Sequence, residues 1–256
     1  EAQVSKLKSV QNQFLKPIVG YVTKNQSNIQ EEQLPAIVST YEDFKTLDKE
    51  LSSSQGSPTK DKTPIPEWIN PANQIVFLFA VASTLNELHQ CGIYHGDLKP
   101  SNIFLQELEN SEFILPLIGD YGLSSICEPS ASISQSAFRA PELSTEINNN
   151  LGNNPEEEET PLPNEKTDVY SFGMLEFYKY VNKFPRGKNA QPLLQGMRPE
   201  IPKSIPHGIR KLIQQCWSHE PSHRPTMKTV LKMIIESRID QEYPEVSEFM
   251  NAIEPE

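Results

Sequence analysis

His95-Gly96-Asp97-Leu98-Lys99-Pro100-Ser101-Asn102, followed 18 residues after Asn102 by Asp120-Tyr121-Gly122, is the stretch on which the reading of this chain turns. It presents a carboxylate, a cation two residues on, an amide five residues on, and a second carboxylate just past a predicted strand pair. Phosphoryl transfer asks for such a set. An Asp must orient the attacking hydroxyl and accept its proton, and a cation must offset charge on the moving group. Asn and Asp oxygens must hold Mg2+ against the phosphates.

The strand pair between the two motifs is predicted at Ile103 to Leu105 and Phe113 to Ile118, joined by the polar run Gln106 to Ser111. Working outward, Asn73 to His89 is apolar on most sides, as a helix in the centre of a domain must be, and Pro71 marks its start. Asp168 to Val181 reads the same way, with Asp168 where an N-terminal cap would sit. His207 to Trp217 and Thr226 to Ile239 carry apolar residues at helical spacing. Near the start, Phe14 to Val22 and Ala36 to Tyr41 read as strands. Two stretches break the periodicity. Ser, Pro and Gly crowd residues 52–72, which reads as a mobile loop. Residues 148–163, holding the run Glu156 to Glu159, read as a disordered acidic insert.

Composition narrows the partners. The chain has 256 residues and a formal net charge of -11, with no basic stripe interleaved with aromatics, so nucleic acid and anionic membranes are excluded as expected partners. Its longest apolar run, Ile75 to Ala82, falls far short of the roughly 20 residues that cross a bilayer. Cys91, Cys127 and Cys216 are odd in number and widely spaced, which suggests neither a disulfide framework nor a metal knuckle. A cytoplasmic setting is the expectation.

With these residues in place the chain resembles the protein kinase family, whose catalytic loop is written H-R-D-L-x-x-x-N and whose metal motif is D-F-G. Ala140-Pro141-Glu142 resembles the motif that closes the activation segment. Asp168-Val169-Tyr170-Ser171-Phe172-Gly173 resembles the start of the central helix, whose Asp steadies the catalytic-loop backbone. Cys216-Trp217 with Arg224-Pro225 resembles the last family motif, its Arg paired with Glu142. Ile37 to Leu47 is similar to strand five and the hinge, with Ser39 as gatekeeper and Thr40 to Glu42 as adenine-contacting backbone. Gly196-Met197-Arg198-Pro199 and the Cys-Trp pair resemble the tyrosine-kinase-like group, while Lys99 resembles the feature of serine/threonine specificity.

The resemblance implies an α+β, protein-kinase-like bilobal fold with a truncated N-lobe and a helical C-lobe. Its divisions fall at 1–51 (helix C, strands four and five, hinge), the loop 52–72, the C-lobe 73–239 and a C-terminal tail 240–256. It implies ATP and Mg2+, with Asp97 and Lys99 catalytic, Thr40, Glu42, Asn102, Phe104 and Asp120 on the nucleotide, and Asn102 and Asp120 on the metal. Phe104 reads either as the floor of the adenine pocket or as a core residue. The implied partner is a protein bearing a Ser/Thr acceptor, and a further protein is expected to cover the incomplete N-lobe. The alternative reading is a pseudokinase scaffold that docks proteins on its C-lobe.

The chain also departs from the family pattern. Gly96 replaces the Arg that reads an activation-loop phosphate, Tyr121 replaces Phe, and Gln135 stands where a Thr is usual, with Ser134 or Ser136 as substitutes. The glycine-rich loop and the strand-three Lys would have to precede Glu1, since Lys6 and Lys8 come too late in the order. The 256-residue polypeptide alone is therefore expected to transfer little phosphate.

Overall fold

Asn70 accepts a hydrogen bond from the Asn73 amide through its side chain, 2.8 Å, and Pro71 follows at the first helical position. From there the longest of the described helices runs to Gln90. It stops where Gly92 takes a φ of 62°, which lets the Gly92 and Ile93 amides turn back onto the carbonyls of His89 and Leu88, both at 2.9 Å. That is the glycine-terminated reversal a helix uses when the next residue must leave in another direction. Here it aims the chain into the His95 to Asn102 loop.

The computed structural model describes residues 7, 10, 12–22, 36–40, 44–53, 70–107, 113–122, 137–143, 162–181, 193, 195–237 and 243–253. Within them lie strands β1 (Ile18–Val22), β2 (Ala36–Ser39), β3 (Lys45–Thr46), β4 (Ile103–Glu107) and β5 (Ile114–Ile118). The helices are α1 (Leu47–Ser53), α2 (Pro71–Gln90), α3 (Glu165–Val181), α4 (His207–Cys216), α5 (Met227–Glu236) and α6 (Pro244–Ile253). β1 and β2 pair antiparallel as one small sheet; β3, β4 and β5 form a second in that order, also antiparallel. The segment just ahead of β1 is tied to the second sheet. Leu15 bridges Ile118 in parallel, with the Lys16 amide donating to the Ile118 carbonyl at 2.9 Å and the Ile118 amide to the Phe14 carbonyl at 2.7 Å.

α2 is buried on nearly every face by α3, α5, α6 and β5, which is why Ile75 to Ala82 shows no polar side. α3 packs on α4, and Phe177 meets Trp217 with ring centroids 5.1 Å apart. No described helix is long and apolar enough to cross a membrane.

The structure corrects several boundaries. α3 begins at Glu165, not Asp168, because Asn164 is the cap: its side chain accepts from the Lys166 amide at 2.8 Å and its carbonyl from the Thr167 hydroxyl at 2.8 Å. Ser52 and Ser53 close α1, and Pro71 and Ala72 open α2, so helix occupies both ends of the 52–72 stretch. The 240–256 tail contains α6, which seats Val246 and Met250 in the core and Phe249 against Phe113 at 5.2 Å. The acidic insert up to residue 161 lies outside the described residues.

Candidate active site

Asp168, fully buried in the first turn of α3, spends both carboxylate oxygens on the loop before Asp97. Oδ2 accepts from the His95 amide and Oδ1 from the Gly96 amide, each at 2.8 Å. The His89 ring nitrogen Nε2 sits 2.9 Å from Oδ2, a third contact that the sequence did not suggest. Gly96 has a φ of 76°, a backbone conformation that side chains resist, so the position asks for glycine in this arrangement.

Beyond this anchor the loop turns outward. Asp97 is exposed, its side chain about half accessible at 52%, while Lys99 is largely covered at 12%. The Lys99 ammonium donates to Asp97 Oδ2 at 2.5 Å. Asn102, buried, donates through Nδ2 to the Asp97 carbonyl at 2.9 Å and to Asp97 Oδ2 at 3.3 Å. With its NH2 group so engaged, the amide presents its oxygen as a free acceptor. The Lys99 carbonyl accepts from the Asn102 amide at 3.0 Å, and the Asn102 carbonyl from Gly119 at 2.9 Å, which sets the end of β5 beside the loop.

Asp120 follows Gly119 with a φ of 56°, in the left-handed region that Asp tolerates better than most residues, and its side chain is exposed. Tyr121 turns in behind it. The ring is buried, its hydroxyl donates to the Lys16 carbonyl at 3.4 Å, and burial pushes the phenol up to about 12. Tyr121 thus fills an apolar slot and keeps a polar partner. His95 is wholly enclosed; burial, opposed by the carboxylates of Asp168, Asp97 and Asp120, lowers its pKa. A neutral, enclosed imidazole belongs to the core.

Arg224 closes the arrangement from below. Its guanidinium meets Glu142 in a two-pronged pair at 2.6 and 2.9 Å and donates to the carbonyls of Ser218, His219 and Lys166. Every N–H of this buried fork is used.

A family model described as protein tyrosine and serine/threonine kinase matches residues 1–234. The chain belongs to that family. It is 30% identical over 163 residues to the "Dual specificity protein kinase pyk3" of Dictyostelium discoideum, covering 60% of this chain and 11% of that protein. It is 31% identical over 170 residues to the "Putative serine/threonine-protein kinase/receptor R818" of Acanthamoeba polyphaga mimivirus, covering 62% and 9%. The match thus spans about a tenth of each relative. Among solved structures, a chain of the AtMLKL3 tetramer superposes with a TM-score of 0.64 at 24% identity, covering 96% of this chain and 40% of that one. That likeness is one of fold: α+β and kinase-like.

The predicted site residues separate into three groups. Asp97, Lys99 and Asn102 come together directly, and Asp120 is brought beside them through Gly119. Phe104 and Thr40 stand on the strand side: Phe104 pairs with Thr46 across β3 and β4, and the Thr40 amide donates to the Pro17 carbonyl at 3.3 Å. Thr40 Oγ1 is buried with no hydrogen-bond partner among the described residues. Glu42 lies outside the described residues, as do Gln135, Ser134 and Ser136. One neighbour was missed: the Lys16 ammonium lies over the Phe104 ring, 4.2 Å from its centroid. No sequence period signals this, because a non-local bridge to Ile118 brings Lys16 there.

Proposed function

We propose that this site transfers the γ-phosphoryl group of ATP to a serine or threonine hydroxyl of a protein. The observation that carries the reading is the Asp97, Lys99, Asn102 cluster: an outward carboxylate held by an ammonium and an amide, on a loop whose backbone is fastened to α3 by Asp168. A rigid frame under one solvent-facing acid suits a reaction in which positioning and charge supply most of the rate.

Asp97 orients the acceptor hydroxyl and takes its proton as the oxygen attacks. Lys99 meets the γ-phosphate charge from the same side in this reading. The donor set also fits a magnesium ion, since the Asn102 amide oxygen and the exposed Asp120 carboxylate are hard oxygen ligands. Mg2+ uses one or two carboxylates together with substrate phosphates rather than a full protein cage. When bound, the ion would neutralise phosphate charge. The Thr40 backbone would face the adenine edge. A cytoplasmic setting and a protein substrate accord with the family.

The test is phosphate transfer from ATP to Ser/Thr peptides. Asp97→Asn should lower the rate by about 100-fold or more, and Asp120→Asn should remove the magnesium-dependent part of ATP binding. An Asp97→Asn protein as active as the parent would overturn the assignment. A second reading, a scaffold that binds partners without transfer, draws on Gly96, which gives the loop no arginine for an activation-segment phosphate. Measurable partner binding by a parent protein whose residual transfer is unchanged in Asp97→Asn would favour it.

A further inference from the structure

Lys16 is held against the nucleotide side of the molecule by its backbone. Its amide donates to Ile118 at 2.9 Å, one residue before Gly119 and two before Asp120, and its carbonyl receives the Tyr121 hydroxyl. From that fixed point the side chain reaches Phe104, the ammonium 4.2 Å from the ring centroid. Gly119 makes the room. A Cβ on Gly119 would stand 2.7 Å from Phe104 Cε2 and 3.6 Å from Lys16 Cδ, so the ring and the lysine stem share the space that any larger residue would fill. Among the described residues no carboxylate pairs with the Lys16 ammonium. The ring is its binding partner.

We propose that Lys16 is a residue of the base subsite that covers the Phe104 face in the free protein and must be displaced when a purine base stacks there. The inference rests on the nucleotide reading above, which puts Phe104 under the base. A cation over an aromatic face and a base stacked on an aromatic face use the same π surface, so the two are mutually exclusive on one side of one ring. The competition has a definite sign. Removing the ammonium together with its stem frees the face and strengthens base binding.

The experiment is isothermal titration with adenosine, which reads the base subsite without phosphates or metal, on the parent protein and on Lys16→Ala. The expected result is a Kd lower by about 2- to 30-fold in the variant. That range is a cation–π contact of about 0.5 to 2 kcal/mol converted at 1.4 kcal/mol per decade. An unchanged or higher Kd overturns the proposal. A second measurement reads the stack itself. In parent protein carrying 13C-labelled lysine, the Lys16 ε-methylene should be shifted upfield by the ring, and should return to the ordinary lysine position in Phe104→Leu and on saturation with adenosine. An ordinary shift in the parent also overturns it. A parallel titration with Mg-ATP on Asp120→Asn separates the two readings. If that variant loses magnesium-dependent binding while Lys16→Ala changes nothing, the nucleotide site stands and the Lys16 assignment falls. If neither the parent nor Lys16→Ala binds adenosine or Mg-ATP, both fall.

Discussion

Replacing Lys179 by Met tests the most heavily buried electrostatic contact of the fold. Lys179 and Glu176 lie one turn apart on α3, both side chains without solvent access, with Nζ 2.7 Å from Glu176 Oε2. Nζ also donates to the Gln74 carbonyl at 3.0 Å on α2 and lies 4.4 Å from the Phe77 ring centroid. Glu176 has less support: Oε1 is buried with no hydrogen-bond partner among the described residues, so its charge depends on Lys179. Burial pushes the Glu176 carboxyl up and the Lys179 ammonium down, each opposed by the other's charge. Removing one member of such a pair leaves the other uncompensated, a loss of about 3 to 5 kcal/mol. At about 2 to 4 °C per kcal/mol for a chain of this size, Lys179→Met should lower Tm by about 6 to 20 °C at pH 7.

The pH dependence supplies a sharper check. A carboxyl whose folded value lies above its unfolded one contributes stability that is fully present below the unfolded value, near 4.5, and lost as pH rises through the folded value. Without Lys179 the folded value climbs further, so the deficit of Lys179→Met against the parent should be smallest in acid and grow toward neutral pH. The double variant Glu176→Leu with Lys179→Met removes both charges and should recover to within about 1 kcal/mol of the parent, or exceed it, because well-packed apolar replacements of a buried pair are often neutral or stabilising. Thermal unfolding by circular dichroism from pH 4.5 to 8 measures all three proteins. A Lys179→Met Tm within about 2 °C of the parent, a deficit independent of pH, or a double variant as unstable as the single one would refute the argument.

Three further outcomes follow from the same structure. Glu142→Ala should destabilise by about 3 to 5 kcal/mol in denaturant titration, since it strands a buried guanidinium, and Arg224→Lys should fail to match the parent because an ammonium cannot make the two-pronged contact. Gly122→Ala places a Cβ 2.7 Å from Leu7 Cδ2 at a φ of 71°, and should lower stability by about 1 to 2 kcal/mol from the backbone conformation alone; a Tm equal to the parent's would contradict it. Asn70→Ala removes the side-chain cap of α2 and should cost about 1 kcal/mol, whereas Asn70→Asp should retain most of the stability, both read as shifts in the denaturation midpoint.

What could be read from the chain, and what could not, divides along the range of the interactions. The Asp97 to Asn102 cluster closes within five residues, so its geometry follows from a local turn, and the residue types alone announce it. The buried character of α2 was visible because its sides are apolar for eight consecutive residues, Ile75 to Ala82. Asp168 was misplaced as a cap for an instructive reason. An acid before an apolar run satisfies the local rule for a helix start, yet here Asn164 caps the helix and frees Asp168 to hold two amides 72 and 73 residues upstream. Local rules rank Asp by what it can do for its own helix and are blind to a competing long-range demand. α6 was read as a tail because its core-facing Val246 and Met250 are too few to signal a helix until Phe113 and α2 supply the surface they cover. Lys16 is the extreme case. Its reach to Phe104 depends on a bridge to Ile118 that spans about a hundred residues, and no property of residues 12–20 distinguishes it from a solvated lysine. The residues proposed to move phosphate are therefore local and legible; of those that set the frame, Asp168 and the Arg224–Glu142 pair were expected through the family resemblance alone, and the contacts of Lys16 emerge only with the fold.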